Sequence, residues 1–279
     1  MEAKLTGKVE YSYVTCKSAL SKSRLPELDY ALNPYVGCEH GCLYCYSRSI
    51  LKDEKMALRW GSFVWAKKNI VERLRKDLRR KKAGVIGVGT ITDPYQPLES
   101  KLRLTRGCLE FLSVYRFPVS IQTKSNLILR DLDLIKPEKF DVGVTITTID
   151  KNLAKKLEPK APNPDARIQV VEELADKKVE TWIFLGPVIP YVNDDRGNLE
   201  AIIEVAKKTG SKILYDRLNL KRWVLESLKP FLEKEKPGLS DVLPRVLGFG
   251  SDYWVRVSEV IRGICGEKGV KCEPAFPYV

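Results

Sequence analysis

The sequence predicts an α/β protein built on a parallel sheet. Apolar runs rich in Val, Ile and Phe recur beyond residue 65, and amphipathic stretches long enough for a crossover helix separate them. The runs carry apolar residues at neighbouring positions, not only at alternate ones, as strands covered on both faces do. With 279 residues and 44% hydrophobic content the chain can bury a large core.

In chain order, the charged start leads to "LDYALNPYVG", read as a first strand. "KKNIVERLRKDLRRKK" (Lys67 to Lys82) follows as a basic helix with Ile70, Val71, Leu74 and Leu78 on its apolar face. Five strands come next: Val85 to Ile91, Phe117 to Thr123, Phe140 to Ile149, Val179 to Gly186 and Lys212 to Leu220. Helices are expected between them at Ser100 to Arg116, Asn126 to Lys136, Asp165 to Lys177 and Asn198 to Lys208. The third has a start signal, Asn163 as cap and Pro164 in the first turn, followed by Ile168, Val171, Leu174 and Ala175 on one face. After Leu220 the alternation stops, and the rest reads as two helices, a Pro- and Gly-rich connection and a short tail. The expected organisation is residues 1–27 as an N-terminal extension packed on the core, 28–220 as the core, and 221–279 as a helical C-terminal extension. Periodicity leaves an open doubly wound sheet and a barrel equally available.

No stretch offers the roughly 18–20 apolar residues of a membrane span; Trp182 to Val192 is short and carries Pro187 and Pro190. The start lacks the apolar segment of a secretory signal, so a cytoplasmic protein without membrane partners is expected. In a reducing compartment seven cysteines, three of them clustered, point to metal binding or buried thiols, not to disulfides. The net charge of +12 suits a nucleic acid partner or anionic small substrates. The basic helix fits either a solvated outer face or a nucleic acid footprint.

The densest chemistry lies in "GCEHGCLYCY" (Gly37 to Tyr46), where Cys38, Cys42 and Cys45 are joined by the chain's single histidine, His40. Thiolates suit zinc or an iron–sulfur cluster. A zinc site of Cys38, His40, Cys42 and Cys45 would crowd four ligands into one loop, whereas structural zinc usually joins two separated ligand pairs. A cluster of four irons normally takes four thiolates, so three would leave one iron open to a cofactor or substrate.

The spacing resembles the signature of the radical S-adenosylmethionine (SAM) superfamily. "NPYVGCEHGCLYCYSR" (Asn33 to Arg48), "TDPYQPLE" (Thr92 to Glu99), "QTKSNLILRDLDLI" (Gln122 to Ile135), "TITTIDKNLAKKLEPKAPNPDARI" (Thr145 to Ile168) and "GPVIPYVND" (Gly186 to Asp194) resemble its spore photoproduct lyase-like, or DNA-repair-photolyase-like, branch. The resemblance runs from about Ser21 to Leu220. It implies a partial (β/α)6 TIM-like barrel with the cysteine loop after the first strand and a helical C-terminal extension.

It also implies a radical SAM enzyme. Cys38, Cys42 and Cys45 would hold three irons of a 4Fe-4S cluster, and SAM would chelate the fourth. A reducing donor such as ferredoxin or flavodoxin would supply the electron that cleaves SAM and yields a 5'-deoxyadenosyl radical. Cofactor contacts are expected from Tyr44, Lys124, Ser125, Thr147, Thr148, Arg167 and Val188. Lys124 would meet the carboxylate, the hydroxyls the ribose, and the backbone of Gly186 to Val192 the adenine. Tyr46 shares Tyr44's two readings, shielding the cofactors or plain packing at the mouth. Arg167 and Glu158 would fix the arrangement or form a plain surface ion pair, and His40 would bond the loop or cluster. Asp93, Tyr95, Gln96 and Glu99 are candidates for contacts to the substrate or to the residues that touch it, or for a turn built by Pro94 and Pro97.

One departure concerns the reaction. Spore photoproduct lyases carry a hydrogen-donating cysteine in the segment matching "GTITD", where this chain has Thr90, a poor hydrogen-atom donor. The resemblance therefore carries over radical initiation and not that substrate. Nucleic acid is the substrate class favoured here; the alternatives are radical modification of a peptide or small metabolite, and a non-catalytic zinc protein that binds nucleic acid. The molecule that receives the radical, any catalytic residue and the oligomeric state are left open. Cys16, Cys108, Cys265 and Cys272 are assigned no catalytic role.

Overall fold

The structure, a computed structural model, describes residues 9–276. Its strands are β1 (Glu10–Val14), β2 (Leu20–Lys22), β3 (Tyr30–Leu32), β4 (Tyr35–Val36), β5 (Phe63–Lys67), β6 (Ile86–Val88), β7 (Val119–Thr123), β8 (Phe140–Thr145), β9 (Glu180–Val188), β10 (Lys212–Arg217) and β11 (Cys272–Pro274). Its helices are α1 (Glu54–Leu58), α2 (Ile70–Arg80), α3 (Glu99–Leu102), α4 (Leu104–Leu112), α5 (Lys151–Leu157), α6 (Pro164–Asp176), α7 (Arg196–Thr209), α8 (Val224–Glu235), α9 (Leu239–Val246) and α10 (Tyr253–Lys268). The main sheet runs β11-β10-β9-β8-β7-β6-β3-β2 and is parallel except for β2, which pairs antiparallel with β3. Its two outer strands do not meet, so the parallel sheet is a partial barrel, open along one side.

Residue parity along the strands explains the curvature and the two faces. Val119 and Ile121 on β7, Val142 and Val144 on β8, Ile183 and Leu185 on β9, and Ile213 and Tyr215 on β10 are buried in one core with Leu109, Val170, Leu174, Ile202 and Ile261 from the covering helices. Burying each such side chain contributes about 1.5–3 kcal/mol. The alternate positions Ser120, Gln122, Lys124, Asp141, Phe184 and Leu214 remain half-buried and line the other, concave face.

The strand at Tyr30–Leu32 and the five later ones form where the sequence predicts them, and they make six parallel neighbours; β11 adds a seventh at the edge. α6 starts as expected, with the Asn163 side chain accepting from the Ala166 amide and Pro164 in the first turn. Several expectations are corrected. The helix expected over Ser100 to Arg116 is two helices broken at Arg103, whose φ is 52°. The one over Asn126 to Lys136 is a 3-10 helix at Asn126–Asp131. The C-terminal region holds three helices, with α10 returning onto the sheet beside α7, and ends in β11.

A second sheet, β1-β5-β4, was not predicted. The β1 strand is exposed along most of its length and so carries no apolar pattern, while β5 abuts the basic helix. No helix among the described residues is long and apolar enough to cross a membrane. Trp182 to Val192 is largely the interior strand β9.

Candidate active site

The loop between β4 and the 3-10 turn Tyr46–Ile50 carries Cys38, Cys42 and Cys45 at the carboxyl end of the sheet. All three are free thiols; Cys38 and Cys42 are buried and Cys45 half-buried. The loop is wound tightly. Gly41 (φ 67°) lies against Gly61 (φ 93°), and a Cβ on Gly61 would stand 2.7 Å from the Gly41 Cα, a separation no side chain tolerates.

Arg48 stiffens the loop from within. Only 2% exposed, its guanidinium donates to the carbonyls of Cys45 (3.2 Å), Cys42 (3.0 Å) and Leu43 (3.3 Å). Sequence reasoning assigned Arg48 no role; its place three residues after the last cysteine, within hydrogen-bonding reach of that turn, was the available signal.

The segment after β6 holds the loop from the side. The Glu39 amide donates to Gln96 Oε1 (2.8 Å), the Thr92 hydroxyl to the Gly37 carbonyl (2.5 Å), and Gln96 Nε2 to Thr92 Oγ1 (3.0 Å). Asp93 receives the Thr123 hydroxyl (2.7 Å) and the Lys124 amide (2.8 Å), and His40 Nδ1 lies 3.3 Å from its Oδ2. Burial would raise the Asp93 pKa, but the adjacent His40 and these donors hold it down to about 2. His40 thus faces Asp93. Glu99 sits deeper, bonded to Tyr35, the Thr105 amide and Arg130, and has a structural place. Tyr95 is also buried there.

From the segments after β8 and α5 and from α6, a buried polar network reaches the loop. The Tyr44 hydroxyl donates to Glu158 Oε1, Arg167 donates to Glu158 Oε2, and the Thr147 hydroxyl lies 3.4 Å from Glu158 Oε1. Arg167 also donates to the carbonyls of Pro162 (2.9 Å) and Thr145 (3.1 Å). The surface ion-pair reading is corrected: Glu158 and Arg167 are each about 1% exposed. Burial alone would raise the Glu158 pKa, but Arg167 and Lys124 hold it below the ordinary value.

Lys124 Nζ stands 5.7 Å from the Tyr44 ring centroid. Burial opposes its charge, and the nearby Cys42 and Glu158 outweigh burial and raise its pKa. Burial pushes the Cys38 thiol up, and pushes Cys42 up to about 12 against the pull of Lys124. A metal binding here would displace thiol protons.

The remaining expected contacts lie at strand ends around the same loop. The Ser125 hydroxyl accepts from the Leu127 amide (3.2 Å) and that of Thr148 from the Asp150 amide (3.1 Å), so each keeps its hydrogen to donate. The Val188 carbonyl accepts from the Leu218 amide (3.0 Å). Asn193, unmarked in the sequence reading, accepts from the Ile189 amide (2.6 Å) and donates to the carbonyls of Thr147 (2.9 Å) and Pro187 (3.1 Å), tying β8 to β9. The Tyr46 hydroxyl donates to the Thr90 carbonyl (2.5 Å), and Lys221 lies 5.1 Å from the Tyr46 ring centroid. The Thr90 hydroxyl accepts from Asn33 Nδ2 (2.9 Å).

The donor set distinguishes two metals. Structural zinc takes four ligands, usually from two separated pairs, and the fourth candidate here, His40, lies against Asp93. A 4Fe-4S cluster is held by thiolates alone. Three free thiols on one turn, with His40 directed to Asp93, fit the cluster better than zinc.

Comparison with known proteins gives the same direction. The family described as the radical SAM superfamily matches residues 32–204. An uncharacterized protein of Methanocaldococcus jannaschii is 30% identical over 246 residues, covering 88% of this chain and 91% of its own length. One from Mycobacterium tuberculosis is 31% identical over 207 residues, 70% of this chain but 61% of its own length, so this chain spans about three fifths of that relative. Among solved structures, a spore photoproduct lyase mutant with bound AdoMet and dinucleoside spore photoproduct superposes with a TM-score of 0.70 at 11% identity, over 96% of this chain and 82% of that one. Streptococcus suis SuiB bound to S-adenosylmethionine gives 0.57 at 12% identity, over 88% and 49%. With the family match spanning the cysteine loop and four of the strand ends around it, the chain belongs to the radical SAM superfamily, enzymes that use a 4Fe-4S cluster and S-adenosylmethionine.

Proposed function

We propose that this enzyme holds a 4Fe-4S cluster on Cys38, Cys42 and Cys45, binds SAM at the iron they leave open, and directs the resulting radical at a nucleic acid. The observation that carries this reading is the convergence of three free thiols with Lys124 and the Tyr44–Glu158–Arg167 network at the carboxyl ends of parallel strands. When bound, the cluster supplies the electron that splits a carbon–sulfur bond of SAM, giving methionine and a 5'-deoxyadenosyl radical that takes a substrate hydrogen.

The chain's own residues bind and orient. Lys124 offers a point charge to the carboxylate of SAM, and Ser125, Thr147 and Thr148 offer hydroxyls to the ribose. Arg167 acts through Glu158, which fixes the Tyr44 ring beside the loop. The strand-end backbone around Val188 meets the adenine.

A nucleic acid substrate is supported by the net charge of +12 and by the dinucleoside bound in a protein of the same fold. Thr90 in the place of the donor cysteine separates the reaction from spore photoproduct repair. Anaerobic binding to RNA and DNA oligonucleotides tests the class. Affinity that falls steeply with salt is expected, since each phosphate contact releases counterions. No binding at low salt, together with intact SAM cleavage, would move the substrate to a peptide or small metabolite.

A further inference from the structure

Far from the cysteine loop, at the amino ends of the last three strands, two thiols face each other across a turn. Cys265 lies in the last turns of α10 and is 1% exposed. The Val270 amide donates to the Cys265 carbonyl (2.8 Å), which folds the chain back so that Cys272 opens β11 beside the start of β10. The two side chains lie within interacting range of each other. Cys272, half-buried, also lines a cavity of about 590 Å³, with Lys178, Lys212 and Lys271 among its walls. Cys272 therefore has a solvent route and Cys265 does not.

We propose that Cys272 and Cys265 form an oxidisable dithiol, oxidised first at Cys272 and closed by Cys265 into a disulfide that fastens the edge strand β11 to α10. Access suits that order: Cys272 is half-buried on the cavity wall with Arg262 near enough to favour its thiolate, whereas Cys265 is buried.

With a peroxide as oxidant, the Cys272 thiolate attacks one peroxide oxygen, the O–O bond breaks, and water leaves after protonation. The Cys265 sulfur then attacks the resulting sulfenic acid, the S–S bond forms, and a second water leaves. Two thiols lose two protons and two electrons, and with them one hydrogen peroxide becomes two waters. The site is independent of the radical assignment, because no cluster ligand takes part.

Trypsin separates the pair, leaving Gly263 to Lys268 with one cysteine and Cys272 to Val279 with the other. The test is peptide mapping of the cluster-loaded protein, treated with hydrogen peroxide and then alkylated. The two peptides are expected joined, two hydrogens lighter than their sum and parted by dithiothreitol. Cys265→Ser or Cys272→Ser should abolish the product while SAM cleavage persists, and Cys16→Ser should leave it unchanged. Recovery of both peptides alkylated, of Cys272 as sulfinic acid, or of Cys272 joined to another cysteine would overturn the proposal.

Discussion

Glu158 accepts from Tyr44 and Arg167 inside the protein, so its charge is held by neighbours rather than by water. Removing one partner of a buried pair typically costs about 3–5 kcal/mol, because the other charge is left unpaired. Arg167→Ala should lower the free energy of unfolding in urea by that order and weaken SAM binding; a loss below 1 kcal/mol would deny the pair its structural place. Asp141 gives a contrasting case on the concave face. Trp182 and Ser120 donate to its Oδ1 at 2.7 and 2.6 Å, yet burial dominates and raises its pKa. With the folded pKa above the unfolded one, the native state holds the extra proton, so stability falls as pH rises from the ordinary value near 3.8 through the raised pKa. Asp141→Asn keeps both acceptor contacts and should flatten that decline in urea titrations. An unchanged slope would count against the assigned burial. The three cysteines were legible because of their type and spacing. The Glu158–Arg167 pair was legible only as two charges, since nothing in a single sequence says that such a pair turns inward.

Among the elements, the strands of the main sheet were readable because both faces are covered and their apolar runs are continuous. The outer pieces were not. β1 is exposed and held mainly by backbone pairing to β5, and β11 is three residues long with a proline. The break at Arg103 leaves no trace either, because arginine is an ordinary helix former and the new start is held by the Glu99 carboxylate, which accepts from the Thr105 and Arg106 amides. The cysteine loop shows how one element depends on another. Gly61, at the turn before β5, allows Gly41 to approach. Gly61→Ala should cost about 1–3 kcal/mol through its left-handed backbone and the clash. Iron bound per chain after reconstitution should drop with it. Full iron loading in that variant would mean the two turns need not touch.

At the scale of the whole molecule, the open barrel gathers loops from β6, β7, β8 and β9 around one cysteine turn, while helices cover the convex face. Loops at the carboxyl ends of parallel strands are where such folds place chemistry, so the position of the site follows from topology. The number of parallel strands was close to readable from periodicity, but the open side was not, because barrel closure depends on strand tilt and register. That Cys38, Cys42 and Cys45 hold a redox cluster able to cleave SAM is tested most directly by measuring 5'-deoxyadenosine formed anaerobically from SAM and dithionite by the reconstituted protein. A brown protein giving methionine and 5'-deoxyadenosine in equal amounts, with both products lost in Cys38→Ala, Cys42→Ala and Cys45→Ala, is the predicted result. A colourless protein carrying one zinc per chain and releasing neither product would contradict it.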